Sequence, residues 1–264
     1  MNLKYPVKLL FSAALVCGLH PVAATASVFG ENFLSGHTKL SYASILLDRG
    51  GSFYGGQGAI LWDTHFDSPI HGLALDLRHR SATASGYVEA TRLDYVVSYS
   101  DLLFEESLLP TRLTFAPAFL HTYKQSDNNG YEFNLGLSWN EFLPDGLNLS
   151  YSVVYESRVK TSAGAGFYHE CGFNYEATVP EWIGLKFHES EPVINFTALL
   201  AYRDGLGGPD VDRGFSHALF QCSTEIALFE NFSILPAIQH QISMEKTINE
   251  KNRTAFLVSG QIRF

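Results

Sequence analysis

The residues of this chain able to do chemistry are ten histidines, two cysteines beyond residue 26, and carboxylates set at strand spacing. A histidine acts through a partner, either a nucleophile in hydrolysis or further ligands around a metal. His121-Thr122 and His217-Ala218 place only a small residue behind the ring, and no Ser/His/acid constellation is read from the chain. His71 and His79 stand eight positions apart, and neither His-x-His nor Cys-x-x-Cys spacing occurs after residue 26, so no metal ligands are assigned. Gly205, Gly207 and Gly208 lie between charged turn residues, where glycine serves loop geometry rather than a phosphate cradle. The expectation is a chain that is not an enzyme and needs no cofactor.

Charge carries more information. Glu132, Glu156 and Glu170 occupy the polar phase of three successive two-residue repeats and fall at similar depth, toward one end of each repeat. Carboxylates grouped in this way on the wall of a pore favour cations, which makes these three the candidate selectivity residues. Arg112, Lys124, Arg158 or Lys160 could instead pair with them, so an ion-pair network filling a narrow lumen is equally open. Asp76, Arg78, Arg92 and Asp94 read as a second network, joined by diagonal pairing between neighbouring strands.

The elements that must position these residues are strands. Period two dominates over period 3.6. Tyr131, Phe133, Leu135, Leu137 and Trp139 alternate with polar or small residues, as do Phe232, Ile234, Pro236, Ile238, His240 and Ile242. The last nine residues put Phe256, Val258, Gly260, Ile262 and Phe264 on one face and Leu257, Ser259, Gln261 and Arg263 on the other. Twelve such segments lie near 37–47, 56–66, 71–80, 87–100, 111–123, 130–140, 146–158, 165–178, 193–203, 215–229, 231–243 and 253–264. Most exceed the 5–6 residues of a typical soluble strand and match the roughly 9–11 that cross a bilayer. An even count, with ten or fourteen also possible, suits a single-chain barrel.

An even number of strands puts both ends of the barrel on one side. Short turns follow at 67–69, 143–146 and 230–231, whereas the connectors at 101–110 and 179–192 are long for that side, and the second has room for an extra strand or a helix. The opposite connectors, including Asp48 to Gly55, are polar, glycine-rich and short, which argues against a large folded-in plug. Pro117 and Pro236 fall inside strands, where the missing N–H predicts bulges or irregular pairs. Cys171 and Cys222 are placed two strands apart, about 9–10 Å at ~4.8 Å per strand, beyond the roughly 7 Å that a disulfide permits; none is expected.

Residues 1–26 read as a secretory signal. Lys4 and Lys8 precede the uncharged run Leu9 to Leu19, and Ala24-Thr25-Ala26 is a small-x-small cleavage site. Removing it leaves 16 basic against 27 acidic residues, counted from 18 and 27 less the two lysines. Such an acidic chain is a poor partner for nucleic acid. A mean hydropathy of +0.01 and 14% aromatic content fit a barrel, which is half wet and carries interfacial rings.

The stretch from Asn129 to Pro180, with its repeats N-G-Y-E-F-N-L-G-L-S-W-N-E-F-L, L-N-L-S-Y-S-V-V-Y-E and G-F-Y-H-E-C-G-F-N-Y, resembles the TorF-like porin family of Gram-negative bacteria. The terminal strand ending on Phe264 resembles the closing strand of outer-membrane barrels, which carries the signal for the barrel assembly machinery. Together these imply an all-β protein: a signal peptide (1–26), then a single antiparallel transmembrane β-barrel (27–264) in an outer membrane, surrounded by lipid and passing small solutes. A non-conducting structural or adhesion barrel and an outer-membrane lipid hydrolase are the alternatives. The oligomeric state and the solute stay open.

Overall fold

The computed structural model describes residues 35–49, 51–107, 109–123, 128–140, 143–159, 165–179, 193–206, 213–244 and 251–264. The proposed signal, Trp182 with Ile183, and most of the 179–192 connector lie outside them. The strands in chain order are β1 (Ser35–Ala43), β2 (Leu47–Asp48), β3 (Gly51–Ser52), β4 (Ala59–Asp67), β5 (Leu73–Ala82), β6 (Arg92–Leu103), β7 (Thr111–Thr122), β8 (Gly130–Trp139), β9 (Leu147–Arg158), β10 (Gly166–Thr178), β11 (Val193–Asp204), β12 (Gly214–Phe229), β13 (Phe232–Ser243) and β14 (Arg253–Arg263). β1 and β4–β14 form one closed antiparallel barrel of twelve strands, each paired with its chain neighbour, and β1 closes the ring against β14. The two-residue strands β2 and β3 pair only with each other, as a hairpin inside the first loop.

All twelve expected strands are present. The two largest boundary differences have physical reasons. β1 stops at Ala43 rather than near 47 because the chain turns away at Ser44, whose N–H donates to the Phe256 carbonyl (2.8 Å) while its Oγ accepts from the Phe256 N–H (2.9 Å). β6 starts at Arg92 rather than 87 because Ser85–Ala90 winds into a 3-10 turn. The closing ladder runs from His37↔Arg263 to Ala43↔Leu257 and is extended by Gly36 and Phe264, which exchange two backbone hydrogen bonds of 3.0 Å, with the Phe264 ring 6.0 Å from that of Phe66.

The two-residue period now has a geometric meaning. Tyr131, Phe133 and Leu135 of β8 point outward, as do Phe173 and Tyr175 of β10 and Phe256 and Val258 of β14; all are exposed. Rings meet along this outer wall near one end, with Phe119 5.5 Å from Tyr131 and Tyr155 5.0 Å from Phe167. The inner wall carries the opposite phase, including Ser41, Asp94, Gln241 and Ser259, all buried.

Pro117 and Pro236 leave gaps without shifting register. Between β6 and β7 the ladder runs Val96↔Ala118 and resumes at Tyr99↔Phe115; between β12 and β13 it runs Ser223↔Ala237 and resumes at Ile226↔Ile234. In both places the missing donor costs local bonds only. The register shifts fall instead between Ala201 and Tyr202 and between Ala227 and Phe229.

Two of the tight turns depend on glycine. Gly72 (φ 73°) and Gly146 (φ 82°) adopt left-handed conformations. Their carbonyls accept 2.7 Å bonds from the N–H groups of Ser100 and Glu176 on the adjacent strands. A Cβ would sit 2.2 Å from the Ser100 carbonyl oxygen at Gly72 and 2.3 Å from that of Glu176 at Gly146. Cys171 and Cys222 are unbridged, on β10 and β12 with β11 between them.

Candidate functional site

The first loop, read from sequence as one of the short outer connectors that argue against a large folded-in plug, folds inward as a small hairpin inside the lumen. Its base is apolar. Leu46, Tyr54 and Ala59 are buried together against Phe53, Leu61, Ala82, Tyr87 and Ala90, so the 3-10 turn after β5 backs the loop. The Phe53 N–H donates to the Leu46 carbonyl (2.9 Å), closing the hairpin β2–β3. With its apolar base fixed, the hairpin projects Arg49 toward the opposite wall and turns Asp48 toward β5.

Arg49 has a left-handed backbone (φ 47°), uncommon for a residue with a Cβ. Its two terminal nitrogens hydrogen-bond separately to Glu132 of β8 and Glu156 of β9. These carboxylates face each other directly across the ladder, in the pair Glu132↔Glu156. Each would repel the other without a counter-charge. Arg203 of β11 donates to the Arg49 carbonyl oxygen (2.5 Å) and to that of Leu206 (3.3 Å), holding the hairpin tip by its backbone. The Arg49 guanidinium also lies over the Tyr168 ring, 5.8 Å from its centroid.

Asp48 faces the other side of the lumen. Arg80 of β5 reaches Asp48 at 3.5 Å and Asp94 at 3.7 Å, and Arg92 binds Asp94 at 2.5 Å. Burial alone would raise the Asp48 carboxyl. Arg80 first, then Arg49, Arg92 and Arg203, overcome that cost and hold it below its ordinary value. The ion pairs thus latch the hairpin on two sides.

Glu170 of β10 stands beside this latch but outside it. It accepts a 2.9 Å hydrogen bond from the Tyr168 hydroxyl and forms no ion pair among the described residues. Below the hairpin lies a chamber of about 220 Å³, lined by Asp48, Arg49, Glu132, Asn134, Tyr168, Glu170, His217 and Gln241 among others. Three carboxylates and one guanidinium therefore border it.

The three sequence-selected glutamates do converge on one site. Their cationic partner does not come from the residues the sequence offered. Arg112 sits at the far end of β7, Arg158 binds Asn128 (3.3 Å), and Lys124 and Lys160 lie outside the described residues. Arg49 takes that place, 83 and 107 residues from Glu132 and Glu156 in sequence. No local pattern marks it, because a charged pair ahead of two glycines reads as an ordinary solvated turn. The second network is also re-partnered. Asp76 meets Arg78 (3.4 Å) and His65 (2.7 Å), while Asp94 meets Arg92 and Arg80 instead of Arg78.

The His-x-Ser spacing of barrel phospholipases does occur, at His79-Arg80-Ser81 and His188-Glu189-Ser190. The second lies outside the described residues. The first shares the outward phase of β5, opposite Trp62 and Ile60, with no Asn or Asp paired beside it. Ser216 and His217 do touch (Oγ to Nδ1, 2.8 Å), but Ser216 is fully buried and unreachable by a substrate.

No protein-family model and no curated protein sequence matches the chain, so the resemblance to TorF-like porins rests on strand pattern. Solved structures are similar in shape. The NanC porin superposes with a TM-score of 0.54 at 8% identity, over 87% of this chain and 100% of that one. The KdgM porin gives 0.49 at 12% identity over 87% and 99%, and the COG4313 outer membrane channel from Pseudomonas putida F1 gives 0.49 at 8% over 88% and 95%. At such identity the NanC likeness bears on architecture: this chain shares with that porin a β-barrel fold that takes in nearly the whole of both molecules.

Proposed function

We propose that the chain is an outer-membrane channel for small solutes or ions, narrowed by its own first loop and mildly selective for cations. The observation that carries this reading is a closed barrel, apolar outside, whose lumen is crossed by a hairpin with an apolar base and an ion-paired tip that leaves a chamber of about 220 Å³ beneath it. An apolar exterior of this extent needs lipid against it. A closed barrel satisfies every backbone polar group in that setting. Glu132, Glu156 and Glu170 set the selectivity. Arg49 cancels one charge of the first two and leaves a net negative wall.

In this reading residues 1–26 direct Sec-type export from a Gram-negative cytoplasm. The C-terminal strand ending in Phe264 engages the barrel assembly machinery, and membrane lipid surrounds the outer wall.

Liposome swelling tests the transport function directly. Vesicles containing the folded protein should swell in small polar solutes, faster for small cations than for anions of the same size, and progressively slower as solute size grows. Vesicles that stay impermeable to every solute would favour the competing reading, a closed structural barrel, which the latched hairpin also fits.

A further inference from the structure

The chamber beneath the hairpin is lined by the carboxylates of Asp48, Glu132 and Glu170 and by Asn134. Asn134 Oδ1 is enclosed and receives no hydrogen bond. An unsatisfied buried carbonyl of this kind costs free energy until a donor meets it. Among the described residues, Glu170 accepts one hydrogen bond, from the Tyr168 hydroxyl 2.9 Å away, and forms no ion pair. His217, 3% exposed, lines the same space. Its Nδ1 lies 2.8 Å from Ser216 Oγ. Arg49 borders the space too and directs one N–H of each terminal nitrogen to Glu156 and Glu132. Leu199 and Leu219 add an apolar wall. At about 220 Å³ the chamber is smaller than the ~300–1,000 Å³ that enclose a drug-sized ligand.

A complementary ligand brings N–H donors, a positive charge and a short apolar body. We propose that this chamber is a binding subsite for small organic ammonium ions, primary alkylamines above all. The ammonium group pairs with the Glu170 carboxylate and donates further to Asn134 Oδ1, and the alkyl part rests on the leucines. The proposal deepens the channel reading and rests on it for how the solute arrives.

Calorimetric titration of the whole protein, folded in detergent and checked by its heat-modifiable band, tests it without requiring conduction. The probes are n-butylammonium, 1-butanol and butyrate. One butylammonium should bind per chain, with neither butanol nor butyrate matching it. The near-isosteric Glu170→Gln should weaken binding at least about tenfold, the size of a lost charge-assisted hydrogen bond, and Asn134→Ala should weaken it less. Absence of butylammonium binding to the folded protein, equal binding of butyrate, or full affinity in Glu170→Gln would overturn the proposal. Planar-bilayer recording of the same preparation separates the two claims. A barrel that binds the amine but does not conduct keeps the subsite and loses the channel. A conducting barrel indifferent to the amine keeps the channel and loses the subsite.

Discussion

With Arg49 in place, Glu132 and Glu156 share one guanidinium across the β8–β9 ladder. Replacing it by alanine leaves two carboxylates opposed with no counter-charge, a state that costs free energy and recruits mobile cations instead. Arg49→Ala should therefore raise cation selectivity, read as a larger reversal potential in a salt gradient. Glu132→Gln combined with Glu156→Gln should lower it. An unchanged reversal potential in both variants would remove these residues from the selectivity assignment.

Asp48 makes a separate prediction about pH. Its carboxyl is held below the ordinary value, so its contribution to the latch is complete above about 3.9, the unfolded-state value, and is lost only as pH falls through the lower folded-state value. Hydrogen-exchange protection of the Phe53 N–H, which donates to Leu46 within the hairpin, should hold from pH 7 to about 5 and decline only below about 4. Protection lost already near pH 6 would mean that another group governs the latch.

Among the elements, the strands were legible because one physical constraint, opposite solvents on opposite faces, repeats along each of them. Tyr131 to Trp139 and Phe256 to Phe264 show it without interruption. The hairpin β2–β3 was not legible. Its two-residue strands leave no period to read, and its polar partners lie on β5, β8, β9 and β11. The 3-10 turn at Ser85–Ala90 was missed for a similar reason: what holds it is contact with the loop, where Tyr54 lies 6.0 Å from Tyr87.

The turn glycines test the same scale. Gly146→Ala forces a Cβ into a left-handed turn and against the Glu176 carbonyl oxygen. The conformational part alone costs about 1–2 kcal/mol, and the clash adds to it. The folded band should convert to the unfolded one at a lower temperature than in wild type. Gly86→Ala, where nothing lies within 4 Å of the added carbon, should leave the conversion unchanged. Equal melting of the two variants would show that the turn does not limit stability.

At the scale of the whole molecule, the order of strands and the closure of β1 on β14 follow from antiparallel neighbours of even number. That much was written in strand length and count. What was not written is how wide the lumen stays, because the width depends on where one loop docks. The two Arg49 ion pairs at the hairpin tip span more than eighty residues of chain and leave no trace in local composition. The sequence therefore identified the wall and its acidic patch but not the arginine that closes over them.

The central claim is a conducting barrel partly closed by its own first loop. Single-channel recording of the wild-type protein beside Arg49→Ala in planar bilayers tests it most directly. Small, discrete, cation-preferring steps are predicted for the wild type, with larger or longer openings in the variant. Two folded proteins that insert and remain silent, or conduct identically, would contradict it.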